Sequence, residues 1–172
     1  MVEEDPLSWE EEPPENFLDV HLLYRGVKKF LWAVWDDLDK IYPNFFTVEQ
    51  TKGGLSVDWS KHSSPEEALD HLPGLNPNLS LYGIAQLSVG KLRESIEKNN
   101  FLIGIKHDPI RIKIKLKIYR GHSLLTNFKR EGKNKIRTRI RVELSRIAEW
   151  APDMKPVLNN TNGKKRFNHS YI

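Results

Sequence analysis

The 172-residue chain, 38% hydrophobic and 29% charged, is long enough to bury the core of one domain. It has no cysteine, which excludes disulfides, thiolate metal sites and cysteine nucleophiles and fits a reducing compartment. The net charge of +4 is unevenly spread: residues 106–146 hold 14 Lys/Arg against three acids, a net +11, while residues 1–105 carry a net −9. Such asymmetry points to an anionic partner, or to two halves that face each other.

Residues 1–18 read as a flexible acidic tail. Seven acids, three prolines and no Lys or Arg oppose folding there. The segment lacks the basic start and apolar run of a signal peptide, and no stretch is long enough to span a membrane. These features imply a cytoplasmic protein, in which the Asn-x-Ser/Thr triplets at Asn78, Asn159 and Asn168 are chance matches. Residues 19–25 read as the first strand. A helix is expected over 27–41, with Phe30, Leu31, Val34 and Leu38 on one face. Trp32 falls off that face and, with the acidic tail, offers a contact for a protein partner.

Residues 44–48 and 55–59 read as short strands around Gly53-Gly54. Ser64-Pro65-Glu66-Glu67 is a helix start, with Ser64 as cap and Glu67 closing a capping box. Residues 82–87 read as a strand, Ser88 caps a helix to about Lys98, and 101–105 read as a strand. Over 110–120, Ile110, Ile112, Ile114, Leu116 and Ile118 alternate with Arg111, Lys113, Lys115, Lys117 and Tyr119. That period of two predicts one long strand with an apolar and a cationic face, paired with 123–128 across Arg120-Gly121. Residues 133–150 fit a strand or a helix; the helical pattern, which continues to Trp150 and stops at Pro152, is preferred. Residues 155–172 read as a polar, basic tail. The sum is an α+β domain over 19–154, a mainly antiparallel or mixed sheet of short strands packed by about three helices.

Three constellations carry candidate chemistry. The first is cationic: Arg111, Lys113, Lys115, Lys117, Arg120, Lys129, Arg130, Lys133, Lys135, Arg137, Arg139 and Arg141. Clustered Lys/Arg is the footprint of nucleic acid, whose phosphates release counterions when neutralised. It is equally the pattern of a solvated strand face that resists edge aggregation. The acidic tail could cover this surface and compete with an anionic ligand.

The second is His107 with His122. A hairpin between them could pair the imidazoles as acid and base for RNA cleavage; otherwise they are unrelated turn residues. The third is Arg25, at the end of the first strand, followed by Ser56 in a later strand and by Glu66 or Glu67. This order resembles the Arg–Ser–Glu layout of ADP-ribosyltransferase-type proteins over roughly the first 70 residues. The resemblance implies an arginine and a serine that hold NAD and a glutamate that orients the ribose.

No phosphate loop, dinucleotide fingerprint, nucleophile elbow or zinc spacing occurs. The reading that follows is a non-catalytic nucleic-acid-binding accessory protein, DNA or RNA, without cofactor or metal. A protein-interaction subunit and a small enzyme, ribonuclease or ADP-ribosyltransferase-like, are the alternatives.

Overall fold

The computed structural model describes residues 16–27, 39–47, 54–71, 83–112, 117–127 and 134–156, the side chains at 111, 112, 117, 118 and 134 excepted. Strand β1 (Leu22–Val27) is followed by a 3-10 turn (Pro43–Phe46), β2 (Gly54–Trp59), α1 (Pro65–Asp70) and β3 (Gly83–Ser88). Then come α2 (Val89–Asn99), β4 (Gly104–His107), β5 (Ile110–Ile112), β6 (Lys117–Tyr119), β7 (His122–Thr126), α3 (Asn134–Ile147) and β8 (Glu149–Trp150). Six strands make one antiparallel sheet in the order β4-β7-β2-β1-β3-β8, and β5 pairs with β6 as a separate ribbon. This is an α+β fold.

The sheet has two unequal faces. Period-two alternation sends Leu23, Leu55, Val57, Trp59, Leu87 and Leu125 into a large core, where Leu92 of α2 and Ile140, Leu144 and Ile147 of α3 pack. The opposite face holds a small cluster, Tyr24, Ala68, Ile84 and Ala151, partly roofed by α1. The helix ends follow the local chemistry. Ser64 Oγ accepts from the Glu67 amide at 3.2 Å while Glu67 Oε2 accepts from the Ser64 amide at 2.9 Å, a complete capping box. Asn100 closes α2 in the left-handed region, at φ 52°, which asparagine tolerates better than most residues.

Several expectations are corrected. Residues 43–46 form a 3-10 turn rather than a strand: Phe45 and Phe46 are both buried in the large core, whereas strand alternation would send one of them outward. The first strand starts at Leu22, after a turn, and Leu22 is only partly buried. Residues 101–103 precede β4 as loop, because the Asn100 cap has just reversed the chain. Phe17, expected in the tail, is buried against Trp59 with ring centroids 4.1 Å apart. The helix reading of 133–150 holds over Asn134–Ile147. Of the helix expected over 27–41, Val27 is instead the last residue of β1 and 39–41 are not helical; the 28–38 stretch with Trp32, the tail to residue 15 and the residues beyond 156 lie outside the described residues.

The largest correction concerns 110–120. The segment doubles back instead of running as one strand, with Ile110 opposite Tyr119, Arg111 opposite Ile118 and Ile112 opposite Lys117. Residues opposite each other in an antiparallel pair share a face, so this register does not put positions 111 and 117 on one side. Strand β7 pairs with β4 and β2 instead of with this segment. Between the pair His107–Ser123 and the pair Ile110–Tyr119, two residues of one strand face three of the other, 108–109 against 120–122. This is a bulge, a device that re-aims side chains, and His122 is in it.

Candidate functional site

The bulge and strand β2 build a polar site on the sheet face opposite the large core. In the β2–β7 ladder Asp58 is opposite His122, with Ser56 two residues along the same face. His122 is buried, 7% exposed. Its Nε2 is 2.8 Å from Ser56 Oγ. Its Nδ1 is 2.6 Å from the Asp108 carbonyl oxygen and 3.5 Å from Asp108 Oδ2. Both of these oxygens are acceptors, so Nδ1 carries the proton. In the neutral ring Nε2 is then an acceptor, and the Ser56 hydroxyl donates to it. Asp108 is itself held in place, since its amide donates to the His122 carbonyl at 3.1 Å.

Beside this chain of hydrogen bonds lies a second one. The Tyr119 hydroxyl is 2.9 Å from Ser63 Oγ and lies close to the Asp58 carboxyl. The His71 ring stacks on Tyr119, with centroids 3.6 Å apart and planes 10° off parallel. Burial pushes the Asp58 carboxyl up to about 6, against the lowering pull of the Tyr119 hydrogen bond, His71 and Arg25. Burial, followed by the charge of Asp58, raises the Tyr119 phenol, so the hydroxyl keeps its proton and donates.

The three predicted constellations fare differently. His107 and His122 are not brought together. His107 is opposite Ser123, the neighbour of His122, so the two imidazoles leave opposite faces of the sheet. His107 Nε2 donates to the Arg120 carbonyl at 2.6 Å, and its ring stacks on His62 at 5.5 Å. With His21 these two rings meet the buried Trp59 edge-on, each at 5.2 Å.

Arg25 and Ser56 are neighbours, as the Arg–Ser–Glu layout requires. The guanidinium, however, is aimed at backbone: Nη1 donates to the Ser56 carbonyl at 3.0 Å, and Nε to the Phe45 carbonyl at 3.3 Å. It meets β2 where the β1–β2 ladder, two pairs long, has ended. Glu67 belongs to the capping box, so the helix start accounts for that carboxylate.

Among the cationic positions, Lys135 and Arg139 are exposed on α3, while Arg137 and Arg141 are partly buried. The Arg139 guanidinium lies over the Phe101 ring, 5.7 Å from its centroid. Arg120 is exposed at the bulge. Arg111 and Lys117 are in the β5–β6 ribbon. Lys113, Lys115, Lys129, Arg130 and Lys133 lie outside the described residues. Arg146 binds Glu143 through two nitrogens, at 2.7 and 2.9 Å, and Glu143 also accepts from Ser95 Oγ at 2.7 Å. Those hydrogen bonds, Arg146 first, hold the Glu143 carboxyl down at about 2.

A surface depression of about 570 Å³ between the 3-10 turn and the end of α3 is lined by Tyr42, Pro43, Ser145, Glu149 and Trp150, among others. Among the described residues no group of three or more His, Asp or Glu is arranged to hold a metal ion, and no helix is long and apolar enough to cross a membrane.

Sequence reasoning missed Asp58, Ser63, His71, Asp108 and Tyr119. One signal was available: aspartate is depleted in strands, yet Asp58 stands between Val57 and Trp59 in an otherwise apolar alternation. No family model, no curated protein and no solved structure matches the chain.

Proposed function

We propose that the chain is an intracellular, cytoplasmic nucleic-acid-binding protein whose contact surface is the outer face of α3. The observation that carries this reading is the composition of that helix. It holds Lys135, Arg137, Arg139, Arg141 and Arg146 against the single acid Glu143, with Lys135 and Arg139 exposed one turn apart. Cations at that spacing can follow a phosphate backbone, and the Arg139 guanidinium, which lies over the Phe101 ring, is a fork suited to bidentate phosphate contact. The surrounding net charge of +11 over 106–146 would steer a polyanion toward the helix. The lack of cysteine fits a reducing compartment.

The test is fluorescence anisotropy with labelled RNA and DNA oligonucleotides over a salt series. Reversing Lys135 and Arg139 to Glu should weaken binding and flatten the plot of log affinity against log salt by about one unit for each phosphate no longer neutralised. Reversing Lys113, Lys115 and Lys117 in parallel weighs the β5–β6 segment against the helix. Unchanged affinity and slope in the α3 variant would remove the helix from the interface.

A further inference from the structure

We propose that Ser56 is a nucleophile activated by His122, and that this pair hydrolyses an uncharged carboxylic ester. This activity is independent of nucleic-acid binding. Three observations together support it. The Ser56 hydroxyl is 2.8 Å from Nε2 of a buried histidine. The other ring nitrogen faces two acceptors, the carbonyl and carboxylate of Asp108, which makes Nε2 the nitrogen that takes the serine proton. Asp108 is tied back to His122 by its own amide and sits in a bulge, so the orienting group is built into the backbone. Nucleophile, base and orienting group in hydrogen-bonded series are the geometric signature of nucleophilic catalysis, whatever the chain order.

The local charge selects the substrate class. Asp58 presents a carboxyl on the same face, opposite His122 in register, and with its pKa at about 6 it is mostly ionised at neutral pH. The nearby Arg25 guanidinium is directed at backbone carbonyls. A phosphodiester would meet that negative charge, which Arg25 offsets in part, whereas an ester carbonyl brings no charge of its own.

In the first step Ser56 Oγ bonds to the carbonyl carbon while its proton passes to His122 Nε2. The carbon–oxygen bond to the alcohol then breaks, and the departing alcohol takes that proton. In the second step a water gives one proton to Nε2 as its oxygen bonds to the acyl carbon. The acyl–Ser56 bond breaks, the acid leaves, and Ser56 recovers its proton. No further reactant is required.

The full-length protein is treated with a fluorophosphonate probe, in which Ser56 Oγ would displace fluoride as the proton moves to His122, and the adduct is located by peptide mass spectrometry. Hydrolysis of p-nitrophenyl acetate is followed alongside. The expected result is a single adduct on Ser56, absent in Ser56→Ala. Labelling and ester hydrolysis should slow at least about 100-fold in His122→Ala, the size of a general-base contribution. Asp108→Asn, which keeps the backbone carbonyl, should be slowed less than His122→Ala.

Wild-type protein that melts cooperatively yet takes no label, or takes it on another serine, would overturn the assignment. So would a His122→Ala protein that still folds and labels at the wild-type rate. The wild-type adduct decides the matter even if a variant fails to fold. Oligonucleotide binding measured on the same preparations shows separately whether the nucleic-acid reading stands.

Discussion

The two faces of the sheet are made by the same strands and hold together in different ways. On one face Leu55, Val57 and Trp59 join aromatic and aliphatic side chains from two helices in a large core. On the other, Ser56 and Asp58, each one residue away from those, enter a web of hydrogen bonds with His122, Tyr119 and their neighbours, next to an apolar cluster of four buried residues. The contrast shows where free energy and where chemistry are concentrated. Apolar burial is non-directional and scales with area, so the large face supplies most of the stability. Directional hydrogen bonds contribute little net stability but fix tautomers and orientations. A polar face of modest stability can therefore be positioned accurately because its strands are anchored from behind.

The strongest test of that division is Trp59→Ala, which should cost about 3–5 kcal/mol in urea unfolding, because Trp59 is fully buried among Phe17, His21, His62 and His107. Trp59→Phe sharpens it. Among the described residues Trp59 Nε1 has no hydrogen-bond partner, so the smaller ring also removes an unsatisfied donor, and Trp59→Phe should cost less than half as much as Trp59→Ala. A destabilisation equal to that of alanine would contradict this account of the large face.

On the polar face the sign reverses. Asp58 binds its proton more tightly folded, at about 6, than at its ordinary value of 3.8. Its contribution is fully present below about pH 4 and is lost as the pH rises through 6. Asp58→Asn should therefore stabilise the protein at pH 7 by about 2 kcal/mol, at about 1.4 kcal/mol per pKa unit with an allowance for partial exposure. Thermal melts at pH 4 and pH 7 should show the gain at pH 7 and almost none at pH 4. A variant destabilised at both would mean that the carboxylate is a structural requirement. Glu143 runs the other way: its carboxyl is held at about 2, so its contribution is present above its ordinary 4.5 and disappears as the pH falls through 2. Glu143→Gln should lower the melting temperature at pH 7 and leave it unchanged near pH 2.

A smaller effect is expected at the roof of the polar face. Ser64→Ala breaks the capping box of the six-residue α1 and should cost about 1 kcal/mol in chemical denaturation. The smallest belongs to the surface of α3. Val142 is 49% exposed, and Val142→Ser should change stability by no more than about 0.5 kcal/mol, read from the same curves. A larger change there would reveal a covered face and challenge its assignment as an open binding surface.

Much of this architecture was legible in the order of residues. The alternation of Leu55, Val57 and Trp59, the Ser64–Glu67 capping box, the Ser88 cap and the apolar stripe of α3 are properties of neighbours within one or two turns of chain. Local sterics and hydrogen bonding act at that range. The largest failure has a non-local cause. The 110–120 alternation correctly marked strand at Ile110–Ile112 and Lys117–Tyr119, but period two carries no information about where a strand turns or which strand it joins. Pairing is decided by competition among all strands and by the loops that close them. Thus β7 took β4 and β2 as partners, and that register put His122 on the face of Ser56, 66 residues away, and within reach of Asp108, 14 residues away. The amino-acid sequence alone determined where most of the strands and helices would form and which residues would be apolar or charged, because those preferences are local. The company that His122, Ser56 and Asp58 keep was decided only by tertiary structure, because a buried polar group takes its partners from whatever backbone and side chains the packing of distant strands brings within reach.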